Sequence, residues 1–325
     1  MLKRLTKRGE YTHIFIIILM MILYFFTPDV HFNTLDYPDA APIGQWLQGK
    51  IGIIAEYDRF VNIILMLLIA IFTNRITVIA DISPRQSFIT ASLIVLFMLF
   101  APPTAWFTST LIVMLLLVFA LHNLMSMFGK QYPYLMVINA SMAIAVSSMI
   151  LPQTILLIIF MWFAFFTYSV NSWREWIISV IGILLPYVYM LFAYFWNDNL
   201  AFIIRLYNNF FQGIGFRYQL PSVYQIISLS ALVILFAITA FHFTNDASDK
   251  VISIRKKMWI TFQFSFLSLL MILLGGEYIY LLLPVMYIPL SIMLGYSLHN
   301  SKRSRLYDIL TLILFISIII NRLGF

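Results

Sequence analysis

The residues best suited to chemistry are acids in the interval between the first two apolar runs, from about Pro28 to Asp58. This interval is the longest polar stretch of the chain. A carboxylate can act as a general base, so these acids are the first candidates for a catalytic group. The charged and titratable residues of the interval are Asp29, His31, Asp36, Asp39, Lys50, Glu56 and Asp58.

A second polar interval, from about Asn197 to Pro221, supplies positive charge in the form of Arg205 and Arg217. The polar side chains from Arg205 to Gln212 recur at i, i+3, i+4 and i+7, opposite a row of apolar residues. This period predicts an amphipathic helix on the membrane surface. An arginine there could neutralise the phosphate of a leaving group.

The composition indicates an integral membrane protein. The chain has 325 residues, of which 62% are apolar and 10% charged, and its mean hydropathy is +0.94. Soluble domains are nearer one half apolar and one quarter charged. We therefore expect one transmembrane domain over residues 1–325, all-α, in contact with membrane lipids. There is no cysteine, which excludes disulfides and thiolate sites.

Apolar runs predict about eleven transmembrane helices. The basic start of the chain precedes an apolar run without a small-residue cleavage site, so the first helix is expected to be retained. The predicted helices cover about residues 14–26, 60–72, 88–101, 106–121, 132–150, 154–170, 176–196, 222–242, 258–274, 278–298 and 307–321.

The basic residues predict the orientation. The net charge is +7, from 20 basic and 13 acidic residues. With the N-terminus inside and the C-terminus outside, all basic residues except five fall on the inner side, as the positive-inside rule requires. The long loops at about 28–58 and 197–221 then both lie outside. Because the charge sits at membrane edges, nucleic-acid binding is not indicated. The five outer basic residues are Lys50, Arg59, Arg205, Arg217 and Arg322.

The residues that several classes of function require are missing from this sequence. No ionisable residue is predicted at mid-bilayer, which disfavours an ion-coupled transporter. No nucleotide loop or nucleophile elbow is present, and no HxxH or HxxxH pair suggests a metal enzyme, so no cofactor is indicated. His122, His242 and His299 all fall near inner helix ends and could converge, although interfacial histidines are common.

Three polar residues are predicted within the spanning runs: Asn62, Asn139 and Gln263. Such side chains commonly hydrogen-bond between neighbouring membrane helices. We expect this structural role for them.

The segment Ala41–Leu47 reads APIGQWL and follows the first helix at a short distance. It resembles the start of the surface helix in the first loop of GT-C glycosyltransferases, membrane enzymes that use polyprenyl-phosphate sugars. The resemblance implies that Asp36 or Asp29 is the catalytic base. The usual Asp-Glu pair of that class is missing, because valine and tyrosine follow these two aspartates. The resemblance further implies substrate-binding roles for Arg205, Arg217, Trp46 and Asp39, with the arginines on the donor phosphate.

The helix order and the turn at 171–176 (NSWREW) resemble an uncharacterised family of bacterial polytopic inner-membrane proteins. This implies a multi-pass protein of the bacterial inner membrane and no particular activity. The leading functional hypothesis is a GT-C-like glycosyltransferase of envelope glycan metabolism. The alternatives are a non-catalytic membrane subunit or scaffold with membrane-protein partners, and a transporter for a lipid or apolar solute. In the scaffold hypothesis the outer acids only solvate loops and satisfy helix ends.

Overall fold

A computed structural model describes residues 10–26, 58–84, 87–99, 107–170, 172–202, 223–275 and 279–300. Within these ranges all regular secondary structure is helical, which confirms the all-α class. The helices, in chain order, are α1 (Glu10–Phe26), α2 (Asp58–Ile79), α3 (Ile89–Leu99), α4 (Phe107–Ser126), α5 (Tyr134–Ile150), a 3₁₀ helix (Pro152–Leu156), α6 (Leu157–Tyr168), α7 (Trp173–Trp196), α8 (Val223–Ala247), α9 (Ile252–Leu274) and α10 (Ile279–Asn300).

Six of these helices are long and apolar enough to cross a bilayer, namely α2, α4, α7, α8, α9 and α10. The chain is therefore a helical, multi-pass membrane protein. Helices α1, α3, α5 and α6 are apolar but shorter. Helix α3 has 11 residues, which gives about 16 Å of helix against a hydrocarbon core of about 30 Å. The predicted eleventh helix, 307–321, lies outside the described residues.

Helix α10 occupies the centre of the described bundle. It packs against α2, α3, α4, α8 and α9, and its residues from Leu281 to Leu298 are all buried. The ring of Tyr287 stacks on Phe97 of α3 at 5.4 Å between centroids. Two prolines, Pro284 and Pro289, lie inside this helix. Burial on all sides explains why α10 is apolar around its whole circumference.

Helices α5 and α7 approach each other closely through small residues. Gly182 of α7 lies against Ser141 of α5, and a Cβ at position 182 would overlap the Ser141 hydroxyl. Further along both helices, the hydroxyls of Ser148 and Tyr187 are 2.7 Å apart. Small residues allow such close contact between membrane helices, where van der Waals packing replaces the hydrophobic drive of water.

The rest of the surface of α7 is exposed and apolar. This helix packs mainly against α5, and only 22% of its spanning window is buried. Large side chains such as Val188, Phe192 and Trp196 are more than half exposed. In a membrane protein such a surface faces either lipid or another protein.

Several helices extend beyond their apolar runs, and these bounds correct the predicted turns. Arg75, which follows the predicted helix at about 60–72, lies inside α2. His122 lies inside α4, and Lys256 and Lys257 lie inside α9. Long basic side chains can remain in a helix near the membrane edge, because their charged ends reach the polar interface.

Candidate functional site

The six residues to which the sequence assigned catalysis or substrate binding lie outside the described residues. The segment 27–57 contains Asp29, Asp36, Asp39 and Trp46, and the segment 203–222 contains Arg205 and Arg217. Their roles stay predictions. The structure does describe the helices that flank both segments, so it shows which helix ends would position them.

Polar contacts fix the helix ends beside the first segment. The Arg59 guanidinium donates to the Phe25 carbonyl oxygen at 3.1 Å. The Asn62 amide donates to the Tyr24 hydroxyl at 3.2 Å, and the Thr108 hydroxyl donates to the Asn62 oxygen at 2.8 Å. The end of α1 and the starts of α2 and α4 therefore meet. We call this the polar-loop end of the bundle.

The same contacts test the expected roles of the polar residues within the helices. Asn62 bonds to two other helices, as predicted. The Gln263 amide of α9 donates to the Thr167 hydroxyl of α6 at 2.8 Å, which confirms the second prediction. Asn139 is exposed on α5.

Helix α7 runs toward the polar-loop end. Helix α5 follows α4 after a short turn and so begins at the opposite end. The contacts of Gly182 with Ser141 and of Tyr187 with Ser148 advance along both helices in the same direction, so α7 is parallel to α5. Trp196, the last residue of α7, therefore points toward the polar-loop end.

Helix α8 begins toward that same end. Near its far end, Phe243 packs against Tyr296 of α10 at 5.3 Å between ring centroids. The adjacent Gly295 packs against Thr90, which lies at the start of α3, just after the turn that ends α2. Because α2 starts at the polar-loop end, these contacts belong to the opposite end. Val223 must then lie toward the polar-loop end, like Trp196.

Positive charge gathers at this opposite end, which we call the basic end. Of the eight lysines and arginines in the described residues, Arg59 alone lies at the polar-loop end. The seven at the basic end are Arg75, Lys130, Arg174, Lys250, Arg255, Lys256 and Lys257.

A cavity of about 90 Å³ opens at the basic end, between α2, α4 and α9. Its polar walls are His122, Ser126 and Lys257. The Ser126 hydroxyl donates to the His122 carbonyl oxygen at 2.8 Å. Phe128 also lines the cavity, and the Lys256 ammonium lies 5.8 Å from the centre of its ring. The remaining walls are apolar: Ile76, Ile79, Ala80 and Met125.

The predicted helices give no sign of this cavity, because their bounds leave Arg75, His122 and Lys257 outside them. In a helix their positions are fixed relative to neighbouring side chains. The signal that could have located it is the spacing of Ile76 and Ile79 on α2 and of His122 and Ser126 on α4. Each pair lies on one helix face.

Neither a search for metal-ligand clusters nor a comparison with known proteins indicates a particular reaction. Among the described residues, no three His, Asp or Glu side chains are grouped so as to hold a metal ion. Comparison with known proteins finds no family model, no curated protein and no solved structure that matches the chain.

Proposed function

We propose that the chain is a bacterial inner-membrane glycosyltransferase that uses a polyprenyl-phosphate sugar. The observation that carries this proposal is the direction of four helices. The ends of α1 and α7 and the starts of α2 and α8 all lie toward the polar-loop end. Both long polar segments leave the bundle from these helix ends, so their acids and arginines can share one site.

The reaction follows from the residue types. Asp36 or Asp29 removes the proton from an acceptor hydroxyl, whose oxygen attacks the anomeric carbon of the donor sugar. The bond from that carbon to the phosphate oxygen breaks, and the polyprenyl phosphate leaves with the electron pair. Arg205 and Arg217 neutralise its charge. Trp46 and Asp39 hold the sugar.

The proposed orientation places this reaction outside the cytoplasm. Seven of the eight described basic residues lie at the basic end, and positively charged loops favour the cytoplasmic side. The basic end is therefore proposed to face the cytoplasm and the polar-loop end the outer side. Lipid-linked sugars that have been flipped across the membrane would reach the site there.

A transfer assay tests the function. The full-length protein, reconstituted in vesicles, is given a radiolabelled polyprenyl-phosphate sugar and a membrane glycolipid extract as acceptor. Wild-type protein should move label into product. Asp36→Asn or Asp29→Asn should abolish transfer while leaving thermal unfolding unchanged. Full transfer by both variants would overturn the assignment of the base.

The exposed face of α7 favours a second function, that of a membrane subunit in an envelope complex. The side chains of Phe192 and Trp196 present a large apolar area, and aromatic residues are enriched at protein interfaces. A photoreactive amino acid at position 192 distinguishes a partner from lipid. A discrete cross-linked band in cells supports the subunit, whereas labelling of lipid alone counts against it.

A lipid or solute transporter has less support. Transport requires a passage between helix groups, whereas the described bundle centre is filled by the buried residues of α10. The packing of Tyr287 on Phe97 is one example. A central passage would need α10 to move away from several neighbours at once.

A further inference from the structure

The cavity at the basic end combines positive charge with a small volume. Lys257 of α9 and His122 of α4 both line it, and Lys256 is held nearby over the Phe128 ring. The ammonium groups of Lys256 and Lys257 favour an anion beside them at this half-buried surface.

The size of the cavity limits what it can hold. Its volume is about 90 Å³, whereas pockets for whole small-molecule ligands measure about 300 to 1,000 Å³. The cavity itself would not enclose a whole nucleotide or sugar phosphate. A single compact group such as a phosphate is the suitable size, and lysine is a common phosphate ligand.

The surface beside the cavity is apolar and exposed. Phe72 of α2 lies one turn before Ile76 and two turns before Ile79, and all three residues are on the same helix face. Phe119 of α4 lies one turn before His122. The side chains of Phe72, Phe119 and Ile79 are 44%, 46% and 50% exposed. A molecule with its anionic group in the cavity could therefore continue along apolar surface into the membrane.

We propose that the cavity binds the phosphate of an anionic phospholipid, with an acyl chain lying against Phe72 and Phe119. Basic pockets between membrane helices at the charged side of a bundle are suited to such headgroups. Free phosphate shares the charge but not the acyl chain, so the apolar stripe favours the lipid. The site lies at the opposite end of the bundle from the proposed transferase site and does not depend on it.

Native mass spectrometry of the full-length protein in detergent tests this proposal. Phosphatidylglycerol and phosphatidylcholine with identical chains are added separately, and bound lipid is counted. Wild-type protein should bind phosphatidylglycerol more tightly, because phosphatidylcholine carries the same phosphate but adds a choline cation that Lys256 and Lys257 repel. Lys257→Gln should weaken that binding about fivefold, the effect of one lysine near an anionic headgroup. Arg174→Gln removes a charge at the same end, on α7, and should leave binding unchanged.

A second measurement needs no variant. Acylation of lysines by an amine-reactive reagent is followed by mass spectrometry in the wild-type protein. Phosphatidylglycerol should slow the modification of Lys257 and leave that of the exposed Lys130 unchanged. Phosphatidylcholine should protect neither lysine.

Two results would overturn the proposal. Equal binding of phosphatidylglycerol by wild type and Lys257→Gln, together with unprotected Lys257, would show that the lipid does not occupy the cavity. Protection of Lys257 by inorganic phosphate to the same degree as by phosphatidylglycerol would show a site for a free anion.

Discussion

Gly182 of α7 lies so close to Ser141 of α5 that position 182 has no room for a side chain. A Cβ there would overlap the Ser141 hydroxyl and lie 3.0 Å from the Ser141 Cβ. The Ile138 carbonyl oxygen would be 3.3 Å away, so rotation of the serine hydroxyl alone would not relieve the crowding. This contact packs α7 parallel to α5. The direction of α7 determines at which end of the bundle the chain continues into the polar segment 203–222.

We therefore predict that Gly182→Ala lowers the free energy of unfolding by about 1 to 3 kcal/mol, the usual cost of overpacking. Thermal unfolding in detergent measures the effect. Ser141→Gly in the same chain should recover part of the loss, because it removes both the hydroxyl and the Cβ but costs up to about 1 kcal/mol as a glycine inside a helix. Ala193→Val, on the exposed surface of α7, is the matched control and should change little. A Gly182→Ala protein as stable as wild type would contradict the close approach.

The network around Asn62 should show energetic coupling between α2 and α4. In a double-mutant cycle with Asn62→Ala and Thr108→Val, we expect a coupling energy of about 0.6 kcal/mol and no more than about 1.7 kcal/mol, the average and the maximum measured for side-chain hydrogen bonds in a membrane protein. Unfolding in detergent gives the four stabilities. Asn139→Ala, at an exposed position, should show no coupling with Thr108→Val. Additive effects of Asn62→Ala and Thr108→Val would refute the hydrogen bond.

The pair of Gln263 and Thr167 should respond unequally to substitution. The Gln263 side-chain oxygen is buried and has no hydrogen-bond partner among the residues that the structure describes, while its nitrogen bonds to Thr167. Thr167→Val leaves the whole amide unsatisfied and should cost about 1 to 3 kcal/mol. Gln263→Met removes the unsatisfied oxygen together with the bond, so its cost should be smaller. The reverse order in thermal unfolding would show that the pair is arranged differently.

Replacement of the proposed phosphate ligands should slow transfer strongly. Arg205→Gln and Arg217→Gln each remove positive charge that the proposal places on the leaving phosphate. Loss of one such stabilising group typically reduces kcat by about 100-fold to 1,000-fold. The transfer assay measures this effect, and Arg174→Gln, at the basic end, serves as the charge-matched control. Wild-type rates in both arginine variants would remove these residues from the mechanism.

The sequence predicted the helices well where apolar runs are long. Helix α7 was expected at 176–196 and covers Trp173–Trp196. Helix α4 was expected at 106–121 and extends to Ser126. The difference arises because a backbone remains helical through polar residues such as His122 and Asn123. The Asn123 Nδ2 donates to the Phe119 carbonyl oxygen one turn earlier. A hydropathy profile therefore detects the apolar part of a helix, whereas the helix itself ends where its backbone hydrogen bonds end.

Most of the contacts between helices could not be predicted from the sequence. The parallel direction of α5 and α7 follows from the predicted succession of spanning helices, but neither their contact nor the central position of α10 follows from periodicity, because membrane helices can be apolar on every side. The cavity beside Lys257 was missed because the predicted helices end before Arg75 and His122 and begin after Lys257, and because it depends on contacts among three helices. Asn62 and Gln263 were predictable because a polar group in the membrane needs a partner.

The most direct test of the central claim is the proximity of the two long polar segments. The natural chain contains no cysteine, so single cysteines at positions 29 or 36 and at positions 205 or 217 form four clean pairs. A short bifunctional maleimide, applied to membranes, should join at least one pair if the segments share a site. Each single cysteine must first be shown to react with a monofunctional maleimide. If none of the four pairs is then cross-linked, the result contradicts a shared site and, with it, the proposed transferase.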